Sequence, residues 1–563
     1  MRTTTFIFIP LLIAIATACV EILPLTDEPE VNEEKTRFAS ENFEPLAAYY
    51  VATNGNDTTG NGSEERPWRT VRYAMEHTPV EGGHEIILKT GTHPSIGYIT
   101  TQFETPVLLR AETPYKTSLQ DSKGHRAGYL SGAKNIIISG FNICGNPHWN
   151  DDGLSSWNQN AYLFQIEQCE NIILENNIIH DSYNNDILKL NSYSYDCVVR
   201  GNIFYNQQPE PGHQHIDANQ VYNCVIEDNI FFNDYPASGR NQSINASGFV
   251  VVKSSVLRMQ IEEGKISLAE ATDKGSRQIS IARNVFLNWF GRVDQPVILL
   301  GEDALPFYEV NDCIVENNLF IHNEVYATKE ETLQYEKDHT ANRIGATWAI
   351  KGVNNVNFRA NTITGFIQHG WHSYNNGEGH FGYALRVAIE SGKINDIPTV
   401  NPPNKDITIS NNIFTVPVKS VRGEGQLGII VGGRKEWLLS GKIDNNLYYN
   451  ADEPLREETT EAAADALTFS MDIHQIVGNP LLETDLSYGK VITPTWNAGT
   501  NRFAGTYTSI EQARIDLINK FGTPSANSPA NNAADNSNMP DRDILHNPRG
   551  AQRDVGAVEI PEP

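Results

Sequence analysis

The residues best suited to chemistry lie in two short stretches that align with each other at a shift of 28 positions. The first reads Asp186-Ile-Leu-Lys189-Leu-Asn191 and the second reads Gln214-His215-Ile-Asp217-Ala-Asn219. Side chains alternate along a β-strand, so Lys189, His215 and Asp217 would all point away from the core. An ammonium, an imidazole and a carboxylate on one surface can exchange protons with a substrate. We therefore predict Lys189, His215 and Asp217 as catalytic residues.

Charged residues on later stretches would extend this surface into a column. Comparable strands place four of them near the same line, and we predict these to bind substrate: Lys253, Glu302, Lys351 and Arg386. Residues 365–382 concentrate rings, and we predict substrate contacts for Trp371 and His372 because large rings are costly to expose without a use. The other interpretation is a ladder of exposed ion pairs beside tolerated loops, and such pairs contribute little stability.

The segment just before Lys189 is rich in hard oxygen ligands. It contains Asp181, Asn185 and Asp186, and carboxylate and amide oxygens are the ligands that Ca²⁺ takes. The sequence thus suggests a calcium site at these residues and no other cofactor.

A repeated phrase predicts the elements that carry these residues. Cys169-Glu-Asn-Ile-Ile-Leu-Glu-Asn-Asn177 recurs as Asp196-Cys-Val-Val-Arg-Gly-Asn202 and as Asn223-Cys-Val-Ile-Glu-Asp-Asn229. The closing asparagines are 25 and 27 residues apart, and later copies close at Asn284, Asn318, Asn361, Asn412 and Asn446. A repeat of this period predicts a stacked array, because one unit cannot bury its own apolar face.

Each phrase holds two short β-branched runs joined at a polar pair that ends in Asn. The pair predicts a sharp corner, because Asn tolerates left-handed backbone dihedrals. No amphipathic helix is needed between units, so successive coils would stack as parallel strands about 4.8 Å apart. The asparagine amides would then bond from coil to coil. The predicted fold class is all-β, a single-stranded right-handed parallel β-helix.

The composition divides the chain into four segments. They are a signal peptide at 1–18, an acidic tether at 19–45, the β-helix at 46–450 and an irregular C-terminal wrap or cap at 451–563. The run from Trp68 to Met75 has a helical apolar period with Thr70 as its N-cap. A helix there would shield the open edge of the first coil.

Cys19, directly after Ala18, leaves two interpretations of the leader. The stretch resembles bacterial lipoproteins, which are cleaved before a cysteine that is then lipidated, although Ala16 stands where Leu is usual. Ordinary secretion is the alternative. In both cases we expect an exported protein of the cell envelope or the extracellular space, which meets a membrane only through such a lipid.

Charge and cysteine usage narrow the partners. The formal net charge of −26 at pH 7 disfavours nucleic acid and anionic membrane surfaces. Apart from Cys19 the cysteines are odd in number, and three of them occupy the same place in the phrase: Cys197, Cys224 and Cys313. We predict them to be small core residues, not disulfides. A monomer that binds a polysaccharide is the expected state.

Two stretches and the outward column resemble known families. Tyr49-Tyr50-Val51-Ala52, its turn and the helix that follows are similar to the opening of secreted β-helix proteins, including family 9 pectate lyases. Asp554-Val-Gly-Ala-Val-Glu559 resembles the ending of bacterial β-helix proteins classed by a C-terminal choice-of-anchor pattern. The column is similar to that of β-helix polysaccharide lyases, which pair Ca²⁺ with a Lys or Arg. These resemblances imply an exported carbohydrate-active protein.

Three functions remain open at this point. The first is β-elimination from a uronate-containing polysaccharide, which needs a base and a group that neutralises the carboxylate. The second is inverting glycoside hydrolysis by Asp217 with Glu302 or Asp303, since two coils separate carboxylates by roughly 9.6 Å and inversion uses about 6.5–9.5 Å. The third is a non-catalytic glycan-binding or adhesin-like shaft.

Overall fold

Strands run in one direction along three faces of a coil. The structure, a computed structural model, describes residues 38–120, 126–147, 161–208, 212–239, 247–287, 296–321, 346–364, 383–415, 429–432, 435–449, 472–482 and 492–561. Within these ranges a sheet of 21 strands occupies faces 1 and 2, and a sheet of 12 strands occupies face 3. Neighbouring coils pair in parallel on each face. The predicted right-handed parallel β-helix is confirmed.

The strands of each face stack in chain order. Face 1 contains Tyr98–Ile99, Gly128–Ser131, Phe164–Glu167, Leu188–Tyr195, Ile216–Glu227, Val250–Lys253, Ile298–Leu300, Ala346–Lys351, Tyr383–Ala388 and Ile429–Gly432. Face 2 contains Ala48–Val51, Glu85–Leu88, Gln102–Ala111, Lys134–Ser139, Glu170–Glu175, Val198–Arg200, Ser276–Ala282, Val310–Glu316, Val353–Arg359, Lys405–Ser410 and Gly441–Asp444. Face 3 contains Gly91–His93, Thr117–Gln120, Asn142–Cys144, Ile178–His180, Ile203–Tyr205, Ile230–Phe232, Val285–Leu287, Leu319–Ile321, Thr362–Thr364, Ile413–Thr415, Leu447–Tyr449 and Ile476–Val477.

Faces 1 and 2 share one sheet because two long strands turn the corner between them. Leu188–Tyr195 and Ile216–Glu227 pair with strands of both faces. Face 3 continues to Val477, which lies beyond the predicted end of the β-helix at residue 450.

Alternating side chains fill the space between the faces. The face 1 residues predicted to point inward lie in the central core: Leu188, Leu190, Ile216 and Ala218. From Ile178–His180 to Leu447–Tyr449 the middle residue of each face 3 strand points inward, and four phenylalanine rings stack with centroids 4.7–5.2 Å apart: Phe204, Phe231, Phe286 and Phe320. The predicted core cysteines are free and buried at Cys197, Cys224 and Cys313.

The closing asparagines form a buried ladder between faces 2 and 3, which we call the Asn ladder: Asn177, Asn202, Asn229, Asn284, Asn318, Asn361, Asn412 and Asn446. From Asn202 onward, the side-chain oxygen of each accepts from the backbone N–H and the amide of the asparagine one coil earlier, and that of Asn177 accepts from the N–H of Phe141 at 2.9 Å. Asn229 accepts from Asn202 at 2.9 and 3.0 Å. The ladder ends at Asp472, whose carboxylate accepts both bonds from Asn446 at 2.9 Å.

The left-handed residue of the corner lies one position earlier than predicted. The residue before each ladder asparagine has the positive φ, for example 54° at Asn176, 59° at Asp228 and 57° at Arg283. The ladder position thus requires an amide that both donates and accepts, and its backbone needs no left-handed conformation.

The first coil is capped as predicted. The helix Val71–His77 begins at Thr70, whose side chain accepts from the N–H of Tyr73, and it packs Val71 and Met75 into the core. Of the predicted tether, the structure describes the part from Phe38 onward. A 3₁₀ turn at Ala39–Asn42 docks on face 2, where the buried Glu175 accepts from the N–H groups of Ala39 and Ser40 at 3.1 and 2.7 Å.

Insertions between faces 1 and 2 build a satellite core. The segment after Lys253 is helical at Ser255–Glu262 and Leu268–Ala271, and it packs on the hairpin of Ser391–Ile394 and Ile397–Val400. Short 3₁₀ turns occur at Tyr235–Ser238, Lys435–Trp437 and Asn536–Asn538. Among the described helices none is long and apolar enough to cross a membrane. The predicted signal peptide, Cys19, Trp371 and His372 lie outside the described residues.

The C-terminal segment covers the outer side of face 3. Helix Ile510–Phe521 packs its apolar side chains on the outward residues of that face, such as Ile203, Ile230 and Val285. This contact explains why strands such as Ile230–Phe232 are apolar on both sides. Arg514 on the helix is fully buried, and its guanidinium lies 2.6 Å from the carboxylate of Asp228.

The closing Asp-Val-Gly-Ala-Val-Glu motif locks the end of the wrap. Asp554 accepts from the N–H of Asn532 and of Ile560, and Glu559 accepts from Arg549 at 3.1 Å. Gly556 has φ +97°, and an added Cβ would lie 2.5 Å from Ile413. The motif therefore has a structural explanation in this chain.

Asn229→Ala should lower the free energy of unfolding by at least about 3 kcal/mol. The change leaves buried partners unsatisfied, including the amide of Asn202 and the carbonyl of Val199, at about 1–3 kcal/mol each. Urea unfolding followed by fluorescence measures the loss. The control Asn61→Ala removes a bond in an exposed turn and should cost less than about 0.5 kcal/mol. Equal losses for the two variants would contradict the role of the ladder.

Candidate active site

Lys189 and Asp217 are neighbours on face 1, as the alignment predicts. Their strands pair in register with Lys189 opposite Asp217. Gln165 lies opposite Lys189 on the preceding coil, and Tyr129 lies opposite Gln165. One row across four coils therefore reads Tyr129, Gln165, Lys189, Asp217.

This pair is buried, which differs from the predicted exposed surface. Lys189 is 6% exposed and Asp217 is 4% exposed. The ammonium of Lys189 donates to Oδ2 of Asp217. Burial acts to lower the pKa of Lys189, but the carboxylates of Asp217 and Asp186 outweigh it, and the pKa is raised. Burial acts to raise the pKa of Asp217, but Lys189 and Lys253 outweigh it, and the pKa is lowered. Both groups are therefore charged at neutral pH.

Lys253 joins the pair from a strand position two residues off the predicted line. It lies opposite Asn219, whereas Val251 lies opposite Asp217. Its Nζ is nevertheless 3.6 Å from Oδ2 of Asp217 and 2.6 Å from Oε2 of Glu302. These two distances together limit the separation of the two carboxylate oxygens to 6.2 Å. We call Lys189, Asp217, Lys253 and Glu302 the charge cluster.

The other two predicted cations do not join the charge cluster. Lys351 forms an ion pair with Glu390 at 2.8 Å. The row of Asp217 reaches Arg386 only after three buried apolar residues: Val251, Leu299 and Ala349. The prediction of one continuous outward column of charges is therefore wrong.

His215 does not point outward, and that prediction is wrong. The residue is fully buried, and its ring stacks on Phe249 at 4.4 Å and on the core ring Phe231 at 6.0 Å. Its Nε2 is 3.0 Å from Oδ1 of Asn233. Burial lowers the pKa of His215 to about 3. Strict alternation fails because the chain turns a corner just before the face 1 strand. Ile187 occupies the equivalent position on the preceding coil, and it too lies in the core.

Asp186 is a second carboxylate beside Lys189. It is 2% exposed, and its Oδ1 accepts from the N–H of Gln214 at 2.7 Å. Burial, and after it the negative charge of Asp217, raise the pKa of Asp186 to about 7. The half-buried ring of His213 lies 4.0 Å away and makes a 3.0 Å contact from Nδ1 to Oδ1 of Asn185.

The predicted calcium ligands have separate protein partners. Asp181 accepts from His180 at 2.6 Å, from Asn206 at 3.0 Å and from Ser238 at 2.8 Å. The side-chain oxygen of Asn185 is instead in contact with His213. Among the described residues no group of three or more His, Cys, Asp or Glu side chains could hold a metal ion. The contacts therefore do not favour a shared site, and calcium stays a prediction.

A loop after face 1 positions Glu302 and Asp303. Glu309 is fully buried and accepts from the N–H groups of Glu302 at 3.1 Å and of Asp303 at 2.8 Å. Burial, and after it Asp303, raise the pKa of Glu309 to about 7. Burial raises the pKa of Asp303 to about 6.

The half-buried rim of the charge cluster contains residues that the sequence reasoning missed. The ring of Tyr162 lies 5.2 Å from Nζ of Lys189. The guanidinium of Arg126 lies 4.6 Å from the ring of Tyr129 and 5.8 Å from that of Tyr162. Burial raises the pKa of Tyr162. The alignment began at Asp186 and did not include the two preceding coils. Extending it to those coils would have placed Tyr129 and Gln165 in the row of Lys189, close in sequence to Arg126 and Tyr162. That extension was the available signal.

Comparisons with known proteins find similarity only to solved structures. No family model matches this chain, and no curated protein matches it. The solved structure of pectate lyase Pel9A is 15% identical, covers 93% of this chain and 98% of its own at TM-score 0.43. An alginate lyase from Paenibacillus sp. str. FPU-7 is 10% identical, covers 65% and 94% at TM-score 0.37. The predicted resemblance to polysaccharide-lyase-like β-helix proteins is thus found among solved structures, at identities that transfer no activity.

His215→Phe should keep the fold and make its stability less sensitive to acid. The folded pKa lies below the ordinary value of 6.5. The unfolded chain therefore takes up a proton that the folded chain does not, and stability falls as the pH drops from about 6.5 toward 3. The phenylalanine removes this loss. Urea midpoints at pH 7 and pH 4.5 measure it, and equal slopes for variant and wild type would contradict the burial of His215.

Lys189→Met and Asp217→Asn should each lower the free energy of unfolding by about 3–5 kcal/mol, because each leaves a buried charge without its partner. The double variant should lose clearly less than the sum. The half-exposed pair Lys351 and Glu390 supplies the matched control. Lys351→Met and Glu390→Gln should each change the free energy of unfolding by less than about 1 kcal/mol. Additive losses at Lys189 and Asp217 would show that the two residues do not form a buried pair.

Proposed function

We propose that this chain is a carbohydrate-active enzyme that binds a polysaccharide along face 1 and cleaves a uronate-containing chain by β-elimination. The observation that carries this proposal is a nearly buried, charged lysine, Lys189, between Asp186 and Asp217 and below the half-buried rim. Moving two charges out of water costs several kcal/mol per ion, which a solenoid surface does not require. Perturbed titratable groups of this kind concentrate at functional sites.

Arg126 binds the uronate carboxylate in this proposal. Its guanidinium rests on the rings of Tyr129 and Tyr162, and its planar donors match a carboxylate in two bonds. A bound and neutralised carboxylate makes the neighbouring C5 proton more acidic, which is the first requirement of the reaction.

His213 takes the C5 proton. Its Nδ1 contact with Asn185 favours the tautomer with the proton on Nδ1 and the lone pair on Nε2. Lys189 stays protonated beside Asp217 and Asp186, so it stabilises the negative charge that develops on the substrate and does not act as the base.

Tyr162 protonates the leaving oxygen. Its raised pKa keeps the hydroxyl protonated at neutral pH. The C5–H bond breaks and its proton goes to His213, the electron pair forms the C4–C5 double bond, and the C4–O bond breaks. The departing oxygen takes the hydroxyl proton of Tyr162, so no metal and no further reactant is needed.

Hydrolysis is the second candidate. It is supported by two carboxyl groups whose pKa values are shifted in opposite directions. The pKa of Asp217 is lowered while burial raises that of Asp303 to about 6, and such a pair can divide the roles of base and acid. Glu302 is the other acidic partner, and Lys253 holds its Oε2 within 6.2 Å of Oδ2 of Asp217, near the lower end of the spacing of about 6.5–9.5 Å that inversion uses. A glycan-binding shaft without catalysis is the third candidate.

Export remains part of the proposal. An apolar leader that ends at Ala18, with lipidation of Cys19 or release of the mature chain, would place the protein where polysaccharides occur. Lipid labelling of the wild type and of Cys19→Ala separates the two routes.

Incubation with polygalacturonate, alginate, hyaluronan and neutral xylan tests the function. We expect unsaturated products that absorb near 235 nm from at least one acidic polymer. Reducing ends without this absorbance would assign hydrolysis, and binding without product would assign a shaft.

Variants at the rim test the roles in the same assay. Arg126→Ala should mainly raise KM, and His213→Ala should lower kcat by about 100-fold or more. Arg72→Ala is the matched control, because Arg72 is exposed on the capping helix, and it should change neither constant. Full activity of both rim variants on an identified substrate would overturn the assigned roles.

A further inference from the structure

A cavity of about 960 Å³ lies on another side of the loop that carries Asp186. One wall is formed by the corner after face 3, with Tyr183 and Ala237. The opposite wall is a hairpin of the C-terminal wrap, Trp496–Asn497 paired with Arg502–Phe503. None of these residues takes part in the charge cluster.

We propose that this cavity is a second glycan site, which binds a sugar residue bearing an acidic group. The choice of a uronate as that sugar rests on the proposed function. A sugar site combines an aromatic surface with donors for hydroxyl groups. Here the half-buried rings of Tyr183 and Trp496 provide the surface, and Asn497 and Arg502 provide exposed amide and guanidinium donors.

The aromatic wall is held in place before any ligand binds. The ring of Trp496 packs edge-on against Tyr115 at 5.5 Å and Phe503 at 4.9 Å. Tyr183 lies close to Gly145, where an added Cβ would come within 2.9 Å of its ring and 2.1 Å of the carbonyl of Asp181. Gly145 therefore lets the loop and the ring of Tyr183 pack directly against the backbone. A wall fixed in this way loses little entropy on binding.

The accessible charge of the cavity is positive. Asp181 is the acidic residue of the lining, and it is buried and accepts from His180, Asn206 and Ser238. Arg502 is exposed and forms no ion pair with another described residue. An anionic group on the sugar is thus matched by Arg502, whereas a cationic ligand is not.

Binding of uronate trisaccharides to a chain that does not turn them over tests the site. The probes are trigalacturonate, trimannuronate and triglucuronate, with neutral maltotriose for comparison, measured by calorimetry on the Lys189→Met, Asp217→Asn double variant. Ala237→Trp fills the cavity from an exposed position. Arg502→Ala removes the cation, and Arg502→Lys retains it.

We expect Ala237→Trp to abolish one binding event of at least one uronate probe. Arg502→Ala should weaken that event about fivefold, as one charge pair of about 1 kcal/mol predicts, with partial recovery in Arg502→Lys. Absence of binding by all three uronates, equal binding of maltotriose, or an event that survives Ala237→Trp overturns the site. If the wild type cleaves no polymer but Ala237→Trp still abolishes binding, the proposed function fails and the second site stands.

Discussion

The Asn ladder is the constraint on which the rest of this structure depends. Consecutive ladder asparagines are separated by 25 residues in one coil and by 55 in another, yet the bond from backbone N–H to side-chain oxygen remains 2.9–3.0 Å. One corner of every coil is thus fixed by buried hydrogen bonds, whose loss would leave several groups unsatisfied. The extra residues are taken up at the other two corners, where they can surround face 1 without changing the stack.

A fixed register is what lets a single row of side chains build a site. Lys189 lies 12 residues after Asn177 and Asp217 lies 15 residues after Asn202. The longer corner before Asp217 takes up the three extra residues, so the two strands still pair with Lys189 opposite Asp217. Lys253 follows a longer insertion, and on its strand it lies opposite Asn219, two residues beyond the position opposite Asp217. Its side chain is long enough to reach Asp217 all the same, so the cluster depends on side-chain length as well as on register.

The fold was predictable because its signal is local and repeated. Each Asn, each β-branched run and each small core cysteine follows from one coil and recurs in the next. The site was only partly predictable, because burial depends on what the insertions and neighbouring coils place above a side chain. His215 illustrates the limit: alternation assigns it outward, but a corner turns it against Phe249. Arg126 and Tyr162 come from the two coils before the aligned stretches, so the alignment that found Lys189 and Asp217 did not reach them.

The three faces differ in a way that argues for the location of function. The central coils of face 3 are apolar on their outer side and are covered by helix Ile510–Phe521. Face 2 carries ion pairs that reach the solvent, such as Lys134 with Glu170 at 2.7 Å. Partly exposed pairs of this kind cost little to form and need no function to explain them. On face 1 the same residue types are withdrawn from water, with Lys189 and Asp217 nearly closed off. Ion pairs such as Lys134 with Glu170 form on face 2 without leaving the solvent, so the costly buried arrangement on face 1 requires a separate explanation, and the polysaccharide site proposed above supplies one.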